Sequence, residues 1–394
     1  MKRRSLLKSI GTAPLLSVTG NLWATPASKT RLLVVFLRGG YDAANLLVPT
    51  SSTFYYESRP NIAVPRPNAD INSAIALGGD WGLHPALRES VYPLFMRGQA
   101  AFIPFAGTQD TSRSHFETQD SIELGQALEL SRNYRSGFLN RLAVTLNSTG
   151  AMSFTDQLPL IFQGDLTVPN TALRGVAKPS LDARQSNIIA SMYRDTALAP
   201  QVKEGFMVQD EVMRELAGEM DAANRNAISA KGFELEARRI ARLMKESYTI
   251  GFVDVGGWDT HVGEGGATGY LAGRLDELGR GLAAFAQEMG NDWRDTVTVV
   301  ISEFGRTFRE NGNRGTDHGH GSVYWVLGGG IHGGKILGEQ MRLDPSTLFQ
   351  NRDFAVLNEY RAVFAGLFAR LYGLNANQLD HIFPGATARD IGLI

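Results

Sequence analysis

Histidine, carboxylate and hydroxyl side chains gather in four short segments of this chain. Four of the seven histidines lie in them. Zinc in proteins takes histidine nitrogen and carboxylate oxygen as ligands, so the grouping of these residue types predicts one assembled metal site. The segments are 36–42, 109–117, 254–261, and 302–306 together with 315–321.

In the first segment, Asp42 follows Gly39 and Gly40, which come directly after a short apolar run. Glycine adopts backbone conformations that other residues avoid, so the chain can turn sharply here. Asp42 is a candidate metal ligand. A single aspartate in such a turn also commonly caps the turn or a helix, and this interpretation stays open.

The second segment contains three hydroxyls together with Arg113 and His115. A hydroxyl at a helix start lies in the field of the helix dipole and close to any anion bound there. Arg113 can hold two oxygens of a phosphate or sulfate at once. The alternative is a plain helix cap, with Ser or Thr at the N-cap, and both can hold together.

The third segment places Asp259 and His261 two residues apart after an apolar run, a spacing that can put both on one cation. The fourth begins with Glu303 and the basic residue Arg306, a candidate for binding an anion.

The fourth segment continues with Asp317, His318 and His320 in a glycine-rich loop. The two histidines are candidate ligands, or an exposed loop pair without a ligand. Asp317 is either a ligand itself or an acid that orients a neighbouring histidine.

Short runs rich in valine and leucine alternate with amphipathic stretches, which predicts an α/β fold: a mainly parallel sheet with helices on both faces. Ligands of open parallel sheets lie beyond the carboxyl ends of the strands, where the four segments fall. The runs predict strands at 31–37, 100–105, 158–162, 248–255, 296–302 and 322–327, and helices at 85–97, 269–289 and 359–372.

Between about 180 and 246 the composition shifts to alanine, glutamate, arginine, methionine and lysine, with apolar residues at helical spacing. This predicts a helical insert or cap within a single domain at 28–394. Ordinary packing helices without a functional role are the alternative.

The first 27 residues resemble a secretory signal peptide that contains Arg3-Arg4. The apolar stretch at 10–23 is too short and too polar to span a bilayer well, and small residues follow at 24–27. The twin-arginine pattern predicts export by the twin-arginine machinery to the periplasm or beyond, with no stable membrane span after cleavage. A basic disordered start, or an anchor that is never cut, are the alternatives.

The net charge bears on nucleic-acid binding, and the cysteine content bears on disulfide bonds. The chain carries a formal charge of −1, and residues 1–27 contribute four basic and no acidic residues, so the remainder carries −5. This mildly acidic balance has no electrostatic footprint for nucleic acid. There is no cysteine, so disulfides contribute nothing to stability.

The four segments resemble, in order, the signature blocks of an exported bacterial family known as domain of unknown function 1501. More distantly, the chain resembles the alkaline phosphatase superfamily, which includes sulfatases and cofactor-independent phosphomutases. That resemblance implies a parallel sheet, a hydroxyl nucleophile at a helix start and one or two divalent ions, for which zinc, manganese and calcium are candidates.

The resemblance also implies roles for particular residues. Thr111, four residues before His115, matches the nucleophile of the phosphomutases. Arg113 and His115 would assist it. The implied metal ligands are Asp42, Asp259, His261, Glu303 and His318 or His320.

The chain departs from the superfamily at Phe304, which stands where the superfamily has a ligand histidine. Two functions follow. One is hydrolysis or transfer of phosphate or sulfate esters, through a hydroxyl nucleophile or a metal-activated water. The other is an envelope binding or assembly protein without catalysis, which keeps the site to hold an anionic ester or an envelope component.

Overall fold

An eight-stranded, mostly parallel sheet forms the centre of the protein. The computed structural model describes residues 30–148, 150–173, 183–215 and 232–394. The strands of this sheet lie in the order Lys335–Ile336, Ala100–Gly107, Ser322–Gly328, Thr296–Ser302, Arg31–Leu37, Ile250–Val255 and Ala151–Ser153, and Asn358–Glu359 also pairs with Ala100–Gly107. A separate three-stranded antiparallel sheet has the order Leu47–Pro49, Trp81–Leu83 and Ile75–Gly78. The α/β fold class predicted from the sequence is confirmed.

The strands are β1 Arg31–Leu37, β2 Leu47–Pro49, β3 Ile75–Gly78, β4 Trp81–Leu83, β5 Ala100–Gly107, β6 Ala151–Ser153, β7 Ile250–Val255, β8 Thr296–Ser302, β9 Ser322–Gly328, β10 Lys335–Ile336 and β11 Asn358–Glu359. The α-helices in the described residues are Ala43–Leu46, Thr53–Ser58, Val91–Met96, His115–Leu124, Phe138–Thr145, Ala183–Tyr193, Ala199–Glu215, Phe233–Glu246, Tyr270–Met289, Tyr360–Tyr372 and Ala376–Ile382.

Strand β1 shows how the sheet separates two hydrophobic cores. Successive side chains of a strand point to opposite faces. Leu33 and Val35 therefore enter one core, with the helices Phe233–Glu246 and Tyr270–Met289. Leu32 and Val34 enter the other, with the helix Tyr360–Tyr372. Because both faces are covered, every β1 residue after Arg31 is apolar, as expected of a central parallel strand.

Strand β9 is the exception to the parallel arrangement. It lies antiparallel between β5 and β8. Its first residue, Ser322, consequently lies beside Ala106, close to the carboxyl end of β5. The loop that precedes β9 thus reaches the same edge as the loops that follow the parallel strands.

One sequence-based prediction changes in the structure. The strand predicted at 158–162 is instead a short 3₁₀ helix, Leu160–Phe162, that buries Ile161 and Phe162 without pairing to the sheet. The predicted insert at 180–246 lies partly outside the described residues. Its last helix, Phe233–Glu246, is part of the main core. In the described residues, no helix has the length and apolar composition needed to cross a bilayer.

Candidate metal centre

Loops from four strands meet at one edge of the sheet. Strand β1 lies between β7 and β8, so the segments after these three strands are neighbours. The helix that begins at His115 follows β5, and the loop before the antiparallel β9 reaches the same edge. This edge is where parallel α/β sheets place ligands.

The Nε2 atoms of three histidines converge there. His318 Nε2 lies 3.0 Å from His115 Nε2 and 3.1 Å from His261 Nε2. Asp259 completes the group, with Oδ1 2.9 Å from His261 Nε2 and 3.3 Å from His318 Nε2, and Oδ2 3.6 Å from His115 Nε2. Ligand atoms of a tetrahedral zinc ion lie roughly 3.3 Å apart, given bonds of about 2.0–2.1 Å. The ligand atoms of His115, Asp259 and His318 lie close enough together to hold one cation, and His261 Nε2 lies beside His318 and Asp259.

The Nδ1 atom of each histidine is held by an acceptor. His115 Nδ1 donates to Glu303 at 2.8 Å, and His261 Nδ1 donates to Asp317 at 3.1 Å. His318 Nδ1 donates to the carbonyl oxygen of Arg113 at 3.0 Å. This places the proton of each neutral ring on Nδ1 and leaves the Nε2 lone pairs facing one another. Lone pairs at this distance repel unless a cation or a proton lies between them.

The electrostatics fit that arrangement. The hydrogen bond that His115 donates to Glu303 raises the pKa of His115, whereas burial lowers the pKa of His318. Burial alone would raise the pKa of Glu303 and Asp317. Hydrogen bonds lower the pKa values of both acids below the usual ones. Glu303 accepts from His115, and Asp317 accepts from Asn311 and His261. Both acids are therefore charged acceptors that orient a histidine at neutral pH.

Gln119 is a further residue of the candidate site that the sequence did not reveal. Its side-chain amide donates to Glu303 Oε1 at 2.8 Å, and the backbone N–H of Gly39 donates to the same oxygen at 2.8 Å. Gln119 follows His115 by four residues on one helix, so both lie on one face. The four-residue spacing from His115 was the signal in the sequence that could have identified Gln119.

Arg306 does not have the anion-binding geometry predicted from the sequence. Its side chain is fully buried and donates to Asp259 Oδ1. It also donates to the carbonyl oxygens of Gly39, Gly40, Trp258 and Thr316. Burial would raise the pKa of Asp259, but Arg306 lowers it. Arg306 thus keeps Asp259 ionised and ties the loops after β1, β7 and β8 together.

Phe304 forms one wall of the cluster. It is buried, with its ring centroid 4.9 Å from that of His115 and 5.1 Å from that of His318. Glu303, beside it, already accepts from His115, Gln119 and Gly39. An apolar ring and an engaged carboxylate occupy this part of the site.

Asp42 is placed outside the histidine cluster. Its two carboxylate oxygens both accept from the guanidinium of Arg59, and its Oδ1 also accepts from the Ala44 N–H as a helix cap. The alternative reading of Asp42 as a cap residue matches this geometry. Both members of the ion pair are buried, with side chains 0% and 1% exposed for Arg59 and Asp42.

Thr111 is exposed and precedes the helix by a full turn, because that helix begins at His115 with Ser114 as its N-cap. The helix start predicted for Thr111 is therefore occupied by Ser114. Arg113 contributes its carbonyl oxygen to His318, while its side chain pairs with the buried Asp353 at 2.6 Å.

His320 lies apart from the cluster. It is buried and packs on Phe349, with ring centroids 4.7 Å apart. Burial lowers the pKa of His320 to about 4, so it is neutral at physiological pH. It supports the loop before β9, and it is not among the residues whose ligand atoms converge.

Gly40 permits the close contact between the loop after β1 and Phe304. Gly40 and Gly79 share a positive φ, +61° and +59°, but an added Cβ would lie 2.4 Å from the Phe304 ring at Gly40 and meet nothing within 4 Å at Gly79. Gly40→Ala should therefore destabilise the protein by about 1–3 kcal/mol more than the control Gly79→Ala, since only Gly40→Ala displaces a packed ring. Urea denaturation measures this. Equal losses would show that Phe304 has room to move.

The chain belongs to the family described as Protein of unknown function (DUF1501), whose model matches residues 29–383. The predicted membership is confirmed. Comparison with curated proteins gives no match.

Solved structures with a similar shape include a protein of the alkaline phosphatase superfamily from Vibrio parahaemolyticus, at 12% identity and a TM-score of 0.40, over 87% of this chain and 66% of that one. The chain thus spans just under two thirds of that protein. Ps i-CgsB is also similar, at 10% identity and a TM-score of 0.37, over 91% of this chain and 74% of that one, in its complex with k-i-k-neocarrahexaose. At these values neither assigns an activity to this chain.

Proposed function

We propose that this chain is an exported metal-dependent hydrolase of phosphate or sulfate esters with a single metal centre. The observation that carries the proposal is the convergence of three histidine Nε2 atoms and a carboxylate, with every Nδ1 already bonded elsewhere. His115, His318 and Asp259 would hold the ion, and His261, beside His318 and Asp259, is a further candidate ligand. A set rich in imidazole favours zinc over manganese or calcium, which prefer oxygen ligands.

A divalent cation held here would act as a Lewis acid and lower the pKa of a water molecule. The protein's own residues provide the rest. Glu303 and Asp317 hold two of the rings in place, and such outer partners typically tune affinity by about 10–100-fold. The side chains of Asp259 and His261 are 45% and 39% exposed, so one side of the centre is open to a substrate.

A single ion agrees with the surroundings better than two. The second position implied by the resemblance would use Asp42 and Glu303. Asp42 is paired with Arg59, and Glu303 is engaged by His115 and Gln119. Arg306 and Arg113 are paired with Asp259 and Asp353. An anionic ester would therefore bind mainly through the cation itself.

Water is a better candidate nucleophile than Thr111, because Thr111 lies outside the helix start. Thr111→Ala should keep its ester turnover within a few-fold of wild type, whereas His261→Ala should lose about 100-fold or more, in the range of a lost catalytic group. A screen of aryl phosphate and aryl sulfate esters on purified protein measures both. Loss of turnover in Thr111→Ala with metal still bound would restore the hydroxyl mechanism.

The second candidate is a binding or assembly protein of the envelope. Phe304 favours it, because in the sequence it stands where the resemblance implies a ligand histidine, and its ring packs against His115 and His318 instead. A protein that holds one ion per chain but turns over none of the esters would support this candidate over the hydrolase.

The export step is proposed from Arg3-Arg4 and the segment that follows, which lie outside the described residues. The twin-arginine machinery would be the partner, and the periplasm or the cell exterior the destination. Fractionation of cells that make the full chain tests this, and protein found only in the cytoplasm would contradict it.

A further inference from the structure

Glu264 is a fully buried carboxyl that links two loops of the candidate metal centre. Its Oε2 accepts a hydrogen bond from the Thr260 hydroxyl at 2.9 Å and another from the Thr316 hydroxyl at 2.6 Å. Thr260 lies between Asp259 and His261 in the chain. Thr316 directly precedes the pair Asp317-His318. One carboxyl group thus connects the segments that supply three of the converging side chains.

The backbones of the same two loops are also joined. Thr316 N–H donates to the Thr260 carbonyl at 3.0 Å, and Glu264 N–H donates to the Arg314 carbonyl at 2.9 Å. The approach is close, since a Cβ added to Gly315 would lie 2.4 Å from the carbonyl of His261. Small displacements here would move His261 relative to His318.

The charges around Glu264 do not balance if it is ionised. Its second oxygen, Oε1, is buried without a donor among the described residues. Asp42 lies beside it, and the nearby cation Arg59 donates to Asp42 and to backbone carbonyls. A net negative charge that is buried without a partner is strongly unfavourable. A proton on Glu264 removes that charge and gives Oε1 a hydrogen bond to donate to Asp42.

The pKa directions agree with this arrangement. Burial, followed by the proximity of Asp42, raises the pKa of Glu264 well above its usual value. Burial also acts on Asp42, but Arg59 and the hydrogen bond with Glu264 keep the pKa of Asp42 below its usual value. The proton therefore belongs to Glu264.

We propose that Glu264 is neutral in the folded protein and is a positioning residue, which holds the Thr260 and Thr316 loops in the register that brings His261 and His318 together. The consequence for metal binding rests on the proposed function. The neutral state of Glu264 and its effect on the two loops do not depend on the proposed function, and both can be tested in the absence of metal.

Hydrogen–deuterium exchange on chelator-treated protein tests the positioning. In Glu264→Gln, the amide can donate to Asp42 and accept from both threonines, so exchange at 257–264 and 311–320 should match wild type. Glu264→Ala should exchange faster at both loops, and the exposed control Glu89→Ala should not. Unchanged exchange in Glu264→Ala, or equally fast exchange in Glu264→Gln, would overturn the proposal.

A milder change keeps this test open if Glu264→Ala does not fold. Thr316→Val removes one hydroxyl donor and preserves the side-chain shape. It should speed exchange in the Thr260 loop as well as in its own. Faster exchange confined to the Thr316 loop would overturn the link between them.

The pH dependence of unfolding tests the proton. The charged or titratable neighbours are Asp42, Arg59 and, close to Asp42, His84, whose pKa burial lowers to about 4. Above about pH 4.5 the unfolded chain releases the Glu264 proton while the folded chain keeps it. The unfolding constant of wild type relative to Glu264→Gln should therefore rise about tenfold per pH unit between about pH 5 and 7. A constant ratio would show that Glu264 is ionised.

Zinc affinity tests whether the positioning by Glu264 affects the candidate metal centre. Titration of zinc into each protein should give binding about 10–100-fold weaker for Glu264→Ala and restored for Glu264→Gln. Affinity that is lost equally in both variants would overturn the proposal. A wild type that binds no zinc would contradict the proposed function, and the exchange and pH measurements would still decide the role of Glu264.

Discussion

Replacement of His318 by alanine is expected to abolish stoichiometric metal binding. His318 Nε2 is the atom that the other ligands share, since it contacts His115, His261 and Asp259. Removing it leaves only two of the three residues whose ligand atoms together can hold a cation. The loss should exceed the 10–100-fold that removal of an outer partner typically costs.

Elemental mass spectrometry on the purified protein measures the metal content. Wild type should contain close to one zinc ion per chain, and His318→Ala close to none. His332→Ala is the matched control, because His332 is exposed and lies on the segment after β9, away from the cluster. If His318→Ala kept a full ion while the control did too, the ion would be bound elsewhere and the proposed centre would be wrong.

Among the substitutions proposed here, removal of the Arg59 charge is expected to cause the largest loss of folding stability. Arg59→Met keeps much of the side-chain length but leaves Asp42 buried without its cation. Breaking a buried ion pair from one side costs about 3–5 kcal/mol. Arg59 also donates to the carbonyl oxygens of Thr307 and Phe308, close to the loop that carries Arg306, so these acceptors would be left unsatisfied.

The pH dependence of this loss has a definite sign. Arg59 depresses the pKa of Asp42 against the effect of burial, so the pair stabilises the folded protein above the unfolded pKa of aspartate and loses that contribution on acidification. Without Arg59, burial would raise the Asp42 pKa, and stability would fall as pH rises. The difference between wild type and Arg59→Met should therefore widen from about pH 4 to pH 7.

Urea unfolding at the two pH values measures the effect. Arg294→Met, at an exposed position, should lie within about 0.5 kcal/mol of wild type. The double variant Arg59→Met with Asp42→Asn should be less destabilised than Arg59→Met alone, because no unpaired charge remains. A loss below about 1 kcal/mol in the single variant would mean that water or Glu264 compensates for the missing cation.

Much of the fold was predictable because its signals are local. Strand β1 and strand β8 are continuous apolar runs, and buried parallel strands are recognisable as such. The run at 158–162 was misleading. A short apolar segment is compatible with a strand or with a buried helical turn, and packing selected the turn. The short strands β6, β10 and β11 carry too few residues to show a period.

The sequence by itself determined which residue types the site contains and that they lie beyond strand ends. His115, Asp259, His261 and His318 were all named from their types and spacing, and the structure brings these four together. Carboxylates and histidines that follow parallel strands lie at the same edge of the sheet, the one formed by the carboxyl ends of those strands.

Only the tertiary structure decided which polar residues bond to one another. Asp42 and Asp259 both follow strands, yet one faces a buried arginine and the other faces the histidines. The sequence suggests that Arg306 binds an anion, but in the structure its side chain donates hydrogen bonds to Asp259 and to four carbonyl oxygens. The physical reason is that a polar side chain in a folded protein bonds to whichever partner burial brings within reach. That partner can be 17 residues away in the chain, as Arg59 is from Asp42, or 267, as Gly39 is from Arg306.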